Sequence, residues 1–97
     1  MDRLGEIAED IHQAFEARTN ARDDALSQAR TLTRHCANAI RSVHRNDFAA
    51  AEDQLENAAK IVASLQTKLE EYPDLYFAGY THDALKEYAE GSIVYAL

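Results

Sequence analysis

A chain of 97 residues has room for one domain, and 46% hydrophobic with 28% charged residues is typical of a globular protein rather than a disordered one. No apolar run approaches the roughly 20 residues that a membrane-spanning helix needs, and the first residues lack the layout of a signal peptide, so no membrane partner is expected. The net charge of −7, taken alone, argues against nucleic acid as a partner, because phosphate-binding surfaces are usually basic. A single cysteine, Cys36, cannot form an internal disulfide bond, and we expect a cytoplasmic protein.

The first half of the chain is predicted to be helical. In residues 2–45 the only glycine is Gly5, there is no proline, and apolar residues recur at helical spacing. The pattern fades near Thr19 and Asn20, so it indicates either one long helix or two helices joined there. Cys36 lies on the apolar face and is predicted to be an inert core residue. The apolar positions are Leu4, Ile7, Ile11, Phe15, Ala25, Ala29, Leu32, Cys36, Ile40 and Val43.

A turn at Asn46 and Asp47 is predicted to precede a second helix, because such short side chains accept hydrogen bonds from the first backbone amides of a helix. Apolar residues then alternate three- and four-residue steps, which is the heptad stripe of a helix that packs against a neighbour at a shallow angle. Pro73 is expected to end this helix, because the residue before a proline is disfavoured in helical geometry. The stripe comprises Phe48, Ala51, Leu55, Ala58, Val62, Leu65, Leu69 and Tyr72.

Beyond Pro73 we expect a short helical turn with Gly79 as its left-handed cap, and then a last helix capped by Thr81. Residues 93–97 are apolar on every side, which indicates burial all round. We therefore expect either a truncated chain or an end that another subunit covers. The predicted fold class is all-α, with long antiparallel helices in a single domain of residues 1–97.

Four arginines of the first helix form a predicted nucleic-acid-binding stripe. They fall within about 60° of one another on the helix wheel, opposite the apolar face, and span roughly 22 Å. Guanidinium groups bind phosphate through paired hydrogen bonds, and the length suits a few nucleotides of single strand. A solvated helix face paired with nearby acids explains the same spacing, and this alternative stays open. The stripe comprises Arg30, Arg34, Arg41 and Arg45, with His44 beside its end.

An acidic row follows in the last predicted helix, where Asp83, Glu87 and Glu90 lie at i, i+4 and i+7. The row borders the apolar residues Val94 and Leu97, so its carboxylates need a cation such as an arginine, a lysine or a metal. Mg²⁺ would fit, and so would a solvated acidic face or a salt bridge between helices.

Aromatic residues cluster around Pro73, where they suit either base stacking or core packing. They are Tyr72, Tyr76, Phe77 and Tyr80. The four histidines make no metal-ligand spacing, and no phosphate loop, nucleophile elbow or dinucleotide motif is present. No small-molecule cofactor is therefore expected.

Three segments, taken in order at these distances, resemble the translin/TRAX family, in particular its archaeal members. They are residues 29–34 followed by 39–48, then residues 71–80, and last residues 83–90. The likeness covers residues from about 25 to 97. Family members are seven-helix proteins roughly twice this length that assemble into hollow shells and bind single-stranded RNA and DNA inside. The resemblance thus implies the N-terminal half of a translin-like helical bundle that forms a homo-oligomer.

The resemblance also implies roles for the acidic row. In the TRAX branch a Glu-x-x-Glu pair and an aspartate from a later helix hold Mg²⁺ for endoribonuclease cleavage. Glu87 and Glu90 match this pair with Tyr88 between them, so they are the expected metal ligands and catalytic residues, and the aspartate would lie beyond residue 97. The predicted function is single-stranded RNA or DNA binding, with Mg²⁺-dependent cleavage in a longer parent protein. The alternative is a non-catalytic helical assembly or scaffold subunit without a nucleic-acid role.

Overall fold

The computed structural model describes residues 2–97, which form an elongated bundle of 66 × 18 × 16 Å. Four helices account for most of this range, and it contains no strand. They are α1 (Arg3–His44), α2 (Phe48–Lys68), α3 (Pro73–Tyr76) and α4 (Gly79–Ala96). The all-α prediction is confirmed. Within residues 2–97 no helix combines the length and the apolar character that crossing a membrane requires.

The first half of the chain is one continuous helix rather than two. At its start, the Asp2 side chain accepts a hydrogen bond from the Gly5 amide over 2.7 Å. At its end, Asn46 takes a φ of 60°, which reverses the chain, and asparagine is among the residues that tolerate this left-handed conformation. Asp47 then caps α2 by accepting from the Ala50 amide over 3.2 Å, so the predicted turn and cap are confirmed.

The three long helices run up, down and up. The antiparallel course of α2 along α1 follows from two contacts, between Lys68 and Asp24 near one end and between Gln54 and His35 near the middle. α4 runs parallel to α1, because Tyr80 near its start lies beside Ala29, and Gly91 near its end lies close to Cys36. α1 therefore forms the spine against which both α2 and α4 pack.

Small side chains dominate the core between these helices. Six of the eleven buried hydrophobic residues in the described part are alanines, and the largest fully buried ones are Leu32 and Leu65. Alanine lets helix axes approach closely, but each alanine removes little apolar surface from water, so the core is thin. The other buried members are Ala25, Ala29, Cys36, Ala39, Ala51, Ala58, Leu69, Leu75 and Ala84.

The connection between α2 and α4 differs from its prediction. α2 ends at Lys68 rather than next to Pro73, because the amide of Tyr72 bonds to the Leu69 carbonyl over 3.0 Å and closes a tighter turn. Gly79 is not a left-handed cap, since no glycine has a positive φ and α4 already begins there. Thr81 is not the helix cap either. It lies inside the first turns of α4, fully buried, and its hydroxyl has no hydrogen-bond partner in the described part.

Both ends of the bundle expose apolar side chains. At the end of α4, Ile93 is 60% exposed and Leu97 is fully exposed, so the all-round burial predicted for residues 93–97 is not found within the single chain. The reason is geometric, because within residues 2–97 α4 packs on α1, on α2 and on the short α3 near its start, and its remaining sides face solvent. At the other end, α1 extends beyond α3 as a bare helix of residues 3–17, which we call the N-terminal arm.

The arm ends where α3 meets α1. There the guanidinium group of Arg18 pairs with the Asp74 carboxylate and lies 5.9 Å from the centre of the Tyr72 ring. The hydrogen bond between the two side chains, together with their opposite charges, raises the pKa of Arg18 and lowers the pKa of Asp74. This contact ties the turn after α2 to the spine, and it was not foreseen because the two residues are far apart in the sequence.

Candidate nucleic-acid interface

The predicted basic stripe lies on the outer face of α1. Residues such as Leu32 and Cys36 occupy the buried side of this helix, and their burial turns the opposite side of the helix towards solvent. The stripe follows the second half of α1 and its C-cap, and His44 lies beside its end. All of these side chains are exposed: Arg30, Arg34, Arg41, Arg45 and His44.

None of the stripe arginines forms a salt bridge within the described part of the chain. Arg41 donates to the Asn38 side chain, and Arg45 makes a long contact of 3.5 Å with the Ser42 hydroxyl. The ion pairs of residues 2–97 involve other cations, namely Arg18, Lys68 and His12. The alternative of a face neutralised by nearby acids is therefore not what the single chain presents.

Charge is strongly segregated along the sequence around this stripe. Residues 25–46 contain four arginines and no aspartate or glutamate, which gives this segment a formal charge of +4 with histidine neutral. Since the whole chain carries −7, the remaining residues carry −7 − 4 = −11. An anion that approaches the outer face of the second half of α1 thus meets a basic surface on an acidic protein.

A shallow cavity of about 330 Å³ opens beside the first arginine of the stripe. Leu26, Ala29, Arg30 and Thr33 of α1 line it together with Tyr80 of α4. Sequence reasoning missed this cavity, since only the packing of α4 on α1 brings Tyr80 next to Arg30.

The three carboxylates of the acidic row differ in their exposure to solvent. Glu87 is half-buried, whereas Asp83 and Glu90 are exposed on the same helix. The described residues contain no group of three histidine, cysteine, aspartate or glutamate side chains able to hold a metal ion. Glu87 and Glu90 thus offer two carboxylates one turn apart, and the structure brings no third ligand to them. This is an incomplete site for Mg²⁺, and no catalytic step follows from it.

Cys36 occupies the buried face of α1 and is fully shielded from solvent. Burial, with a smaller contribution from the negative charge of Glu87, raises the pKa of its thiol to about 11. A thiol with so high a pKa is protonated at neutral pH and therefore a poor nucleophile. The prediction of an inert core cysteine is in agreement with this environment.

The aromatic cluster serves packing more than surface recognition. Tyr72, Tyr76 and Tyr80 are half-buried against the core, and Phe77 alone is largely exposed. The rings of Tyr76 and Phe77 meet edge to face with their centres 5.2 Å apart. Of these aromatic residues, Tyr80 is the one that lies beside the basic stripe.

Comparisons of the chain with protein-family models, with curated proteins and with solved structures found no match. The resemblance to the translin/TRAX family, and the roles it implies for Glu87 and Glu90, therefore stay predictions. The basic stripe is the feature whose geometry supports a function.

Proposed function

We propose that this protein binds single-stranded RNA or DNA in the cytoplasm through the outer face of α1. The observation that carries the proposal is the row of exposed arginines without acidic partners on a segment that contains no acid at all. Four guanidinium groups along roughly 22 Å match the backbone of a few extended nucleotides. A base turned towards the helix would reach the cavity beside Arg30 and contact the ring of Tyr80.

Single strands suit this surface better than a duplex. A single straight line of arginines can follow one flexible backbone, whereas sequence readout in a duplex groove needs side chains that reach base edges. The side chain near the stripe that could form paired hydrogen bonds with a base is Asn38, and it already accepts a hydrogen bond from Arg41. We therefore expect binding with little sequence preference.

The test is a titration of a fluorescent single-stranded RNA of about 15 nucleotides with the whole chain at several salt concentrations. Four phosphate contacts predict a slope of log affinity against log salt of about −2.8, since each contact on a single strand contributes about −0.7. Replacing Arg34 and Arg41 by alanine should halve this slope to about −1.4 and weaken binding for every sequence.

The matched control removes the same two positive charges elsewhere. Lys60 of α2 and Lys86 of α4 are exposed and form no salt bridge in the described part. The Lys60→Ala/Lys86→Ala variant should keep the slope of the parent. No binding by the parent, or an equal loss in both variants, would favour the alternative of a helical scaffold subunit.

Metal binding by Glu87 and Glu90 is a separate proposal that rests on the family resemblance. Mg²⁺ often keeps several waters and one or two protein carboxylates, so two carboxylates alone predict weak affinity. Titration calorimetry with Mg²⁺ and Mn²⁺ on the parent and on Glu87→Gln/Glu90→Gln tests it without any cleavage assay. Equal heats for both proteins would mean that these residues are structural. Endoribonuclease activity is proposed only for a longer parent that supplies a further ligand.

A further inference from the structure

The N-terminal arm carries a row of large apolar side chains that nothing in residues 2–97 covers. Leu4 is 75% exposed, Ile7 46%, Ile11 61% and Phe15 73%. They recur at steps of three and four residues and lie within roughly 80° of one another on the helix wheel. We call this row the arm stripe. Scattered exposed apolar residues are ordinary, but a contiguous row along one helix face marks an interaction surface.

The arm stripe continues the buried face of the same helix. Counting 100° per residue, it overlaps in direction with the core positions Ala25, Ala29, Leu32 and Cys36 further along α1. That face is covered by α2 and α4 as far as α3, and it is bare below α3. The missing neighbour of the arm should therefore be a helix that lies in line with the positions of α2 and α4.

The space for such a helix is closed at one end. α3 lies against α1 at the pair of Arg18 and Asp74, so a helix packed on the arm stripe cannot extend past this point. The bare face is about 15 residues long, or roughly 22 Å. A parallel copy of α1 in register would clash, because its residues beyond 18 would enter the volume that α3 and α2 occupy.

We propose that a second copy of this chain covers the arm stripe, with the two arms packed antiparallel about a twofold axis near Glu9. In this arrangement each arm ends against the α3 of its partner copy. Each arm is therefore as long as the bare face of the arm that it covers. Ile7 of one copy then lies opposite Ile11 of the other, and Leu4 lies opposite Ala14. The small side chains Ala8 and Ala14 flank the stripe and allow the helices to approach closely.

The charges of the arm are compatible with this pairing. Three of its four carboxylates, those of Glu6, Glu9 and Glu16, lie on the side opposite the arm stripe and stay in solvent. With Arg3 and Asp10 included, each arm carries −3, so the two arms repel weakly. Added salt should therefore strengthen the dimer by screening this repulsion, whereas it weakens the binding of RNA. Dimerisation does not depend on the proposed function, and the two can fail separately.

The interface also stabilises the arm as a helix. A helix of about four turns without tertiary contacts is marginal in water, because most helical stability in proteins comes from packing of the apolar face. Two arms that bury each other's stripe supply this packing. The contact is smaller than a standard protein interface, so we expect a dissociation constant on the order of micromolar.

The first experiment measures mass by sedimentation at concentrations from about 1 to 100 micromolar. The whole chain should pass from monomer to dimer, and Ile7→Glu/Ile11→Glu should weaken the dimer by about a hundredfold or more. Gln13→Glu/Asn20→Glu adds the same charge to the exposed opposite side of the helix and should leave the dimer intact. Ile93→Glu/Leu97→Glu tests the apolar end of α4 in the same way, and this variant should also leave the dimer intact. Circular dichroism checks that each variant is folded.

The second experiment tests the antiparallel orientation by oxidative cross-linking with copper phenanthroline. Ala8→Cys lies next to the twofold axis and should form a disulfide between copies, while Ala14→Cys should not, because its two copies are roughly 15 Å apart. The natural Cys36 is buried and should not react. Any one of four results would overturn the proposal. These are a monomer at all concentrations, loss of the dimer in the α4 variant, a dimer that persists in the Ile7/Ile11 variant, and efficient cross-linking at position 14.

Discussion

Replacing Gly91 by alanine should stabilise the protein, although Gly91 is buried where three helices meet. A Cβ atom added there would lie 3.5 Å from Leu55 Cδ2 of α2 and 3.7 Å from Cys36 Cβ of α1, which are ordinary contact distances. Glycine inside a helix costs roughly 1 kcal/mol relative to alanine, and Gly91 has no positive φ that would require it. We expect a gain of about 1 kcal/mol, which for a domain of this size raises Tm by about 4–8 °C.

Thermal unfolding followed by circular dichroism at low protein concentration measures this gain. Gly91→Leu is the opposing variant, because the atoms beyond its Cβ have no room and overpacking should cost about 1–3 kcal/mol. Gly79→Ala is the matched control, since a Cβ there meets no atom within 4 Å and the residue only begins α4. Its gain should be a few tenths of a kcal/mol. A lower Tm for Gly91→Ala would refute the reasoning, because it would mean that α1 and α2 leave no room for a methyl group at this position of α4.

Two further predictions concern buried polar groups. Thr81→Val should be neutral or should stabilise the fold by about 1 kcal/mol in urea unfolding, because the buried Thr81 hydroxyl has no partner. If Thr81 were instead the helix cap, the same change would cost about 1 kcal/mol. Cys36 has a pKa of about 11 in the fold against 9.0 as its ordinary value, so the stabilisation from its protonated form is complete below pH 9 and is lost as the pH rises towards 11. Unfolding by urea between pH 8 and 11 should show this decline in the parent and not in Cys36→Ala, and an equal decline in both would contradict the assignment.

The helices could be predicted from the sequence because the apolar period is long and regular. The continuity of α1 through Thr19 and Asn20 could not, since the pattern there is polar. Inside the helix the Thr19 hydroxyl donates to the Phe15 carbonyl over 3.0 Å, so a local bond satisfies this polar group and the helix continues. The early end of α2 could not be predicted from the sequence either. Pro73 sets only the latest point at which the helix can end, and a tight turn at Leu69 ends it sooner.

Periodicity identifies the apolar face of a helix but does not say what covers it. The arm stripe and the core positions of α1 have the same spacing, yet Ile11 is exposed and Leu32 is buried. The difference depends on where α2 and α4 end, which is a property of the tertiary structure. The same limit explains residues 93–97, where an apolar segment was expected to be buried and Leu97 is fully exposed.

The basic stripe shows which features of a surface site can be predicted from the sequence. Its position on the outer face of α1 follows from the burial of Leu32 and Cys36, and both could be derived from the helix wheel. Whether acids of α2 or α4 neutralise the stripe depends on helix packing, as does the contact between Tyr80 and the cavity beside Arg30. Those tertiary features distinguish a candidate binding surface from an ordinary solvated face.

The two proposed surfaces occupy different halves of the same helix, and this has a consequence for assembly. A dimer joined through the arms places its two arginine stripes on opposite sides of the twofold axis. Each stripe is about 22 Å long, and the nearest arginine of each, Arg30, lies 21 residues from the axis, so the two stripes are roughly 63 Å apart and a short oligonucleotide can reach only one of them at a time. A strand long enough to span both would gain affinity from the second contact through effective concentration. We therefore expect affinity to rise once the RNA can span both stripes, a distance of roughly 107 Å or about 30 nucleotides at roughly 3.4 Å each. Ile7→Glu/Ile11→Glu should remove this length dependence while leaving the affinity of a short strand unchanged.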